Sequence, residues 1–139
     1  AFLFPTETGT LTIPSTALRT IGVGAYDALT FSYADFSGRG QRGTGRLSKP
    51  DIVAPGVNVT APTTSGTYAS FSGTSFATPF VTGGAALMME WGIIKENDPY
   101  LYGEKVKAYM QRGARPLPGF TEYPNPQVGY GEDVIIRLH

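Results

Sequence analysis

The residues best suited to chemistry in this sequence are Gly73, Thr74 and Ser75, within the stretch ASFSGTSFATPFVTGGAALMME at 69–90. A serine hydroxyl can attack a carbonyl when a base takes its proton and donors meet the oxygen that becomes negative. The run from Ser75 to about Trp91 reads as a buried helix. A helix start supplies donors, because its first backbone N–H groups have no intrahelical partner and carry the positive end of the helix dipole. Ser75 could present its hydroxyl outward while its own N–H faces an oxyanion. Gly73 would let a substrate backbone come close, and Ala77 and Thr78 are small enough to leave room. Pro79 is expected in the first turn, where no hydrogen bond beyond that turn is lost. Gly83 and Gly84 each cost about 1 kcal/mol relative to alanine inside a helix, which suggests tight packing against a neighbouring backbone. A plainer reading is open as well. Ser and Thr are favoured helix caps, and Gly-Thr-Ser before a helix is what a cap looks like.

The elements that must hold this segment are legible from pattern. The stretch TLTIPST (10–16) alternates and stops at Pro14, as a short edge segment would. RTIGVGAYD (19–27) reads as a buried strand, and 36–50 as a polar loop. DIVAPGVNVTAP (51–62) reads as two very short strands broken at Pro55-Gly56, and TYASFSG (67–73) as a strand running into a turn. Asn97-Asp98-Pro99 carries the cap-then-proline signature of a helix start. That helix should run to about Arg112 and stop at Gly113, with Tyr102, Val106, Tyr109 and Met110 as its apolar face. EDVIIRL (132–138) reads as a last strand. Short apolar strands mixed with helices predict an α/β fold, a mostly parallel sheet flanked by helices. Residues 1–139 form one unit, with no repeat, no interior linker and no second domain.

Composition narrows the function classes. The 139 residues hold 11 Lys+Arg and 11 Asp+Glu, a formal net charge of zero, so no basic excess argues for nucleic acid or an anionic membrane as partner. The absence of cysteine removes disulfide and thiol chemistry. The apolar run Phe80–Ile94 is too short to span a bilayer and contains Glu90. The chain begins AFLFPTETG, with neither Met nor a leader pattern, and is read as a soluble piece of something longer.

GTSFATPFVTGGAAL resembles the active-serine segment of the subtilisin-like serine proteases (subtilases), Gly-Thr-Ser-x-Ala-[Ser/Thr]-Pro. KPDIVAPGVNV (49–59) is similar to a second landmark of that family, Lys-Pro-Asp followed by Ala-Pro-Gly. TIPSTALRTIGVGAYD (12–27) and ADFSGRG resemble the segments before it, in the same order. The tail, MMEWGIIKENDPYLYGEKVKAYMQRGAR and then YPNPQVGYG, resembles a narrower group, the clostridial spore-germination subtilases. The resemblance implies the C-terminal part of a subtilisin-like catalytic domain. It implies peptide-bond hydrolysis through an acyl-enzyme on Ser75, with Thr74 as the supporting neighbour, the Ser75 N–H as one oxyanion donor, and Gly73 where the substrate approaches. Phe80 stands where many members have His, but that His is not the triad base.

The family's triad needs an Asp, then a His, then the Ser, in chain order. The only histidine is His139, after the serine. None of Asp27, Asp35, Asp51, Asp98 and Asp133 sits in the family's Asp-[Ser/Thr]-Gly setting, and Asp51 reads as structural. The family's oxyanion Asn has no match either. The resemblance therefore places Asp, His and Asn upstream of this chain, and the isolated chain is expected to be inactive. A non-catalytic alternative is a pseudoprotease or interaction module of the same fold. Expected partners are a peptide substrate and the upstream part of the parent protein; alone, the chain is expected to form a homo-oligomer. No cofactor or metal-ligand cluster is read from the residues, and a secreted or spore-associated location is implied by resemblance only.

Three other patterns carry less. GRGQRG (38–43) matches G-x-G-x-x-G, but a dinucleotide site needs a helix next and prolines follow instead. Arg39, Arg42 and Arg46 read as a solvated loop without interleaved aromatics. Asn58-Val59-Thr60 is a glycosylation sequon inside a landmark expected to be buried.

Overall fold

A computed structural model describes residues 6–41 and 49–134. Its centre is a pair of short parallel strands, β1 (Val23–Asp27) and β3 (Ile52–Pro55), in register from Val23↔Ile52 to Tyr26↔Pro55. Alternation along β3 assigns its two faces. Ile52 and Ala54 pack, together with Ala25, in a core that includes Ala77 and Val81 of the long helix. Val53 points the other way, into a second core with Tyr26, Leu117 and Val128. A strand covered on both faces has no polar positions, which is why Ile-Val-Ala reads as a continuous apolar run.

A two-residue strand, β2 (Ser32–Tyr33), folds back antiparallel on the end of β1. It is too short to leave an alternating signal, and the sequence gives no sign of it. The second sheet is an antiparallel hairpin, β4 (Val59–Pro62) and β5 (Tyr68–Phe71). The expected break at Pro55-Gly56 is where β3 ends. The class is α/β, but the sheet is only partly parallel.

The long helix α1 spans Thr74–Met89 and runs on into a π-helical turn, Glu90–Ile94. Ala77, Val81 and Gly84 are its buried stripe, at the spacing of one helix face. The opposite face, Ser75, Thr78, Pro79, Thr82, Gly83 and Ala86, is exposed although residues 74–89 carry no charge at all. Pro79 is the sixth residue of α1, not part of its first turn. Its missing N–H deprives the Ser75 carbonyl of its helical hydrogen bond. Gly83 is also not the tight contact its cost suggested: a Cβ there would meet nothing within 4 Å.

The second helix, α2 (Glu104–Gly113), stops where expected but starts later than Pro99. Asp98 instead closes a local turn, its carboxylate accepting from the Tyr100 N–H and its carbonyl from the Leu101 N–H. Val106 and Met110 are the buried face, while Tyr102 and Tyr109 are exposed. The 10–16 segment forms turns rather than a strand, tied down where Gly9 and Thr10 donate to Gly40 and Arg39 carbonyls.

The outer edge of β3 is covered. Val53 donates to the Gly131 carbonyl and accepts from the Asp133 N–H, so the 52–54 edge is not bare. On the far side of β1, Ala25 donates to the Ser37 hydroxyl and accepts from the Ala34 N–H. Where the last strand is expected, the described residues hold only isolated bridges, from Glu132 to Val53 and to Arg115. The rest of that expected strand, 135–138, and His139 lie outside the described residues, as do Arg42, Arg46 and the end of the GRGQRG motif.

Candidate active site

Three short pieces of backbone set the position of Ser75. The end of β3 turns at Gly56, whose N–H donates to the Tyr26 carbonyl at 3.0 Å and whose carbonyl accepts from the Gly73 N–H at 2.8 Å. The end of β5 delivers the chain to Gly73, at φ 155° and ψ 158°, a conformation that is in practice glycine's alone. The carbonyl of Gly73 then accepts from the Phe76 and Ala77 N–H groups and starts α1. Phe71 and Phe76 stack across this junction, ring centroids 5.0 Å apart and planes 6° from parallel.

This geometry speaks against the capping reading of Gly-Thr-Ser. The residue at the cap is Gly73, and no side chain caps the helix. Ser75 is the second helical residue, exposed, and among the described residues no partner engages its hydroxyl. The first intrahelical bonds come from Phe76 and Ala77, so the N–H groups of Thr74 and Ser75 stand at the positive helix end with no backbone partner among the described residues. Thr74 is held from its other side, its carbonyl accepting from the Thr78 hydroxyl at 2.9 Å. Ser75, Thr74 and Thr78 line one side of a cleft of about 580 Å³; Thr20, Ile21 and Gly22 line another. Among the described residues this places an exposed serine hydroxyl at the edge of a cleft, beside backbone N–H groups at a helix start and with no side chain hydrogen-bonded to it.

Three of the aspartates are engaged elsewhere. Asp27 accepts from the Leu29 N–H; Asp98 pairs with Lys105, whose hydrogen bond holds its carboxyl below the usual range. Asp51 is buried, as a structural residue should be, and accepts from Lys49 at 2.6 Å and the Gly22 N–H at 2.7 Å. Among the described residues no group of His, Cys, Asp or Glu could hold a metal, and no helix is long and apolar enough to cross a membrane. Arg39 lies over the Tyr33 ring at 5.1 Å. Asn58 is exposed in a turn at φ 53°, so the sequon is not buried with the strand that precedes it.

Residues 5–131 match the sequence model of the Subtilase family. The chain belongs to that family. Among its relatives, Subtilisin Savinase of Lederbergia lenta is 37% identical over 109 residues, 78% of this chain and 35% of that protein. Subtilisin E of Bacillus subtilis (strain 168) is 39% identical over 83 residues, 60% of this chain and 20% of that protein. Among solved structures, the Clostridium perfringens CspB protease superposes with a TM-score of 0.89 at 42% identity, over 99% of this chain and 30% of that one. The Prenylagaramide maturation protease PagA gives 0.72 at 30%, over 89% and 42%. The subtilase likeness, its clostridial flavour and the protease class of the relatives are thus as the motifs implied. This subtilase chain spans about a third or less of the length of its first curated relatives.

The sequence marked Gly56 only as a strand break within a family landmark, not the contacts it makes, and gave no sign of the Phe71–Phe76 pair. A Cβ on Gly56 would sit 2.6 Å from the Ala25 Cβ and 3.0 Å from the Gly73 carbonyl. Gly56→Ala is therefore expected to push the Gly73 turn off β3 and to destabilise the fold by about 1–3 kcal/mol, the scale of an overpacked core. Chemical denaturation of the variant checks this; a midpoint equal to wild type would mean that the turn gives way without resistance.

Proposed function

We propose that this chain is the C-terminal part of a serine endopeptidase in which Ser75 is the nucleophile. The observation that carries the reading is the exposed Ser75 hydroxyl, unengaged, beside the unpaired N–H groups at the start of α1. In the reaction Ser75 Oγ forms a bond to the scissile carbonyl carbon of a peptide. The carbonyl oxygen takes up the negative charge beside the Ser75 N–H. The Ser75 proton passes to the upstream base and from it to the amine, which leaves as the C–N bond breaks. Water, deprotonated by the same base, then releases the acyl group, and the base returns a proton to Ser75. Gly73, without a side chain, leaves room for the substrate backbone, and Thr74 fixes the turn. The base, the acid that orients it and a side-chain oxyanion donor come, on this reading, from upstream sequence of the parent protein. A fluorophosphonate probe on the full-length parent tests it by peptide mapping. The label is expected on Ser75; an unlabelled parent with intact fold would favour the pseudoprotease alternative.

The same reading gives the exposed, uncharged face of α1 a partner. A helix face in water normally carries charge, and this one carries only Ser, Thr, Pro, Gly and Ala. We assign its cover to the upstream part of the parent. Gly83 then has a use, as a point of close approach. Gly83→Ala is expected to stabilise the isolated chain, at dilutions where it is monomeric, by up to about 1 kcal/mol, because its Cβ then enters open space. In the parent it is expected to destabilise. Thermal melts of both forms make the comparison, and stabilisation in both would leave the face without a close partner.

A further inference from the structure

Between the end of β5 at Phe71 and the start of α1 at Thr74 lie only Ser72 and Gly73. On the strand side this run is tied. Ser72 Oγ accepts from the Asn58 N–H at 2.9 Å, and the Gly73 N–H donates to the Gly56 carbonyl at 2.8 Å. On the helix side, Ala77 and Val81 anchor α1 through the core. Between these anchors the restraints are thin. The N–H groups of Thr74 and Ser75 have no backbone partner among the described residues. The Gly73 carbonyl accepts from Phe76 and Ala77 at 3.1 and 3.3 Å, towards the long end of the usual range. Gly73, the pivot, is the residue type with the widest backbone freedom.

The Phe71–Phe76 stack spans this pivot. Phe71 is the last residue of β5 and pairs with Val59 of β4, while Phe76 belongs to the first turn of α1. Their rings lie 5.0 Å apart and 6° from parallel. Both are half-buried, and neither belongs to one of the two cores. A Cβ on Gly73 would lie 3.5 Å from the edge of the Phe76 ring, so the ring runs along the open side of the pivot. The core holds α1 from its buried face only, whereas Ser75 is on the exposed face. Swinging the first turn about Gly73 would pull the rings apart and lose their contact.

We propose that the Phe71–Phe76 stack is a clasp that positions Ser75: it holds the first turn of α1 against the end of β5, and with it the direction of Ser75 Oγ and the Ser75 N–H into the cleft. This inference rests on the reading of Ser75 as the nucleophile. Phe71 and Phe76 act through the backbone between them, so they are positioning residues. Attack on a carbonyl needs oxygen and donors in register, and a misplacement of about 1 Å costs on the order of 100-fold in rate. Opening the clasp is expected to slow reaction at Ser75 by roughly 10- to 100-fold without unfolding the protein.

The test uses Phe76→Leu, Phe71→Leu, the double variant and Phe76→Tyr in the full-length parent. Leucine keeps apolar bulk but has no flat face, and tyrosine keeps the face. Three readouts are taken: the rate of Ser75 labelling by a fluorophosphonate, kcat and KM on a peptide, and hydrogen exchange at the Gly73, Phe76 and Ala77 amides. The probe loses only fluoride, so it puts nothing on the amine side of the cleft. Each leucine variant is expected to label and turn over about tenfold more slowly or worse, with KM within about twofold of wild type. The three amides should exchange about tenfold faster while the melting temperature stays within about 4 °C. The double variant should be no slower than either single one, because both break the same contact. Phe76→Tyr should behave as wild type. Wild-type labelling by Phe76→Leu and Phe71→Leu overturns the proposal, even if KM rises, since the rings would then be touching substrate. So does slow labelling with unchanged exchange, slow labelling that Phe76→Tyr shares, or additive losses in the double variant. A folded wild-type parent that takes no label removes the nucleophile reading instead. Exchange then decides the clasp: faster in both leucine variants upholds it, and equal to wild type removes it.

Discussion

Ser75→Ala in the full-length parent is expected to lower peptide-bond turnover by several orders of magnitude while leaving fold and substrate binding in place. Loss of the nucleophile from a serine triad costs about 10⁶-fold in kcat, and the residual rate comes from binding and the oxyanion donors. The structural side of the expectation is equally specific. Ser75 is exposed, caps nothing, and engages none of the described residues through its hydroxyl. Surface substitutions of this kind change stability by no more than about 0.5 kcal/mol. Fluorogenic peptide assays and a denaturation curve, run on one preparation, separate the two effects. Near-normal proteolysis by Ser75→Ala would remove the nucleophile assignment. A large loss of stability together with activity would return Ser75 to a role in shaping the helix start.

The isolated 139-residue chain is expected neither to hydrolyse peptides nor to react with an organophosphonate at an enzyme-like rate, and to recover both on association with the upstream part of its parent. A serine hydroxyl without a positioned base is a poor nucleophile. Here Asp27, Asp51 and Asp98 are each committed to other partners. Association should follow from the same surface. The strand edges are partly closed by Ser37, Ala34 and the 131–133 segment, so pairing through the sheet is not the drive. The uncharged face of α1 is, together with Leu87, Met89, Trp91 at 52% and Ile94 at 74% exposed beyond it. Sedimentation at low micromolar concentration should find an oligomer of the chain alone and a defined complex with the upstream part. A cooperatively folding monomer that reacts rapidly at Ser75 would contradict both halves of the expectation.

What the sequence determined by itself was whatever depends on near neighbours along the chain. The strands at β1, β3, β4 and β5, the start of α1 at the Gly-Thr-Ser turn and the stop of α2 at Gly113 are written in local apolar runs, prolines and glycines. The family was legible for the same reason, because its landmarks are contiguous motifs. Tertiary structure decided the rest. Pro99 failed to start a helix because the Asp98 carboxylate and carbonyl bond the Tyr100 and Leu101 N–H groups in a turn of their own. A two-residue strand such as β2 exists only because β1 is there to pair with it. Gly56 matters through Ala25 and Gly73, which are distant in sequence and in contact in space. The choice between cap and free hydroxyl at Ser75 rested on which residue takes the cap position. A buried ammonium such as Lys107 is invisible in a helix that otherwise reads as amphipathic and solvated. Its acceptors, the Leu18 and Thr20 carbonyls and the Asp51 carboxylate, lie 56 to 89 positions away in the chain, and only the packing of α2 against the start of β1 brings them to one point.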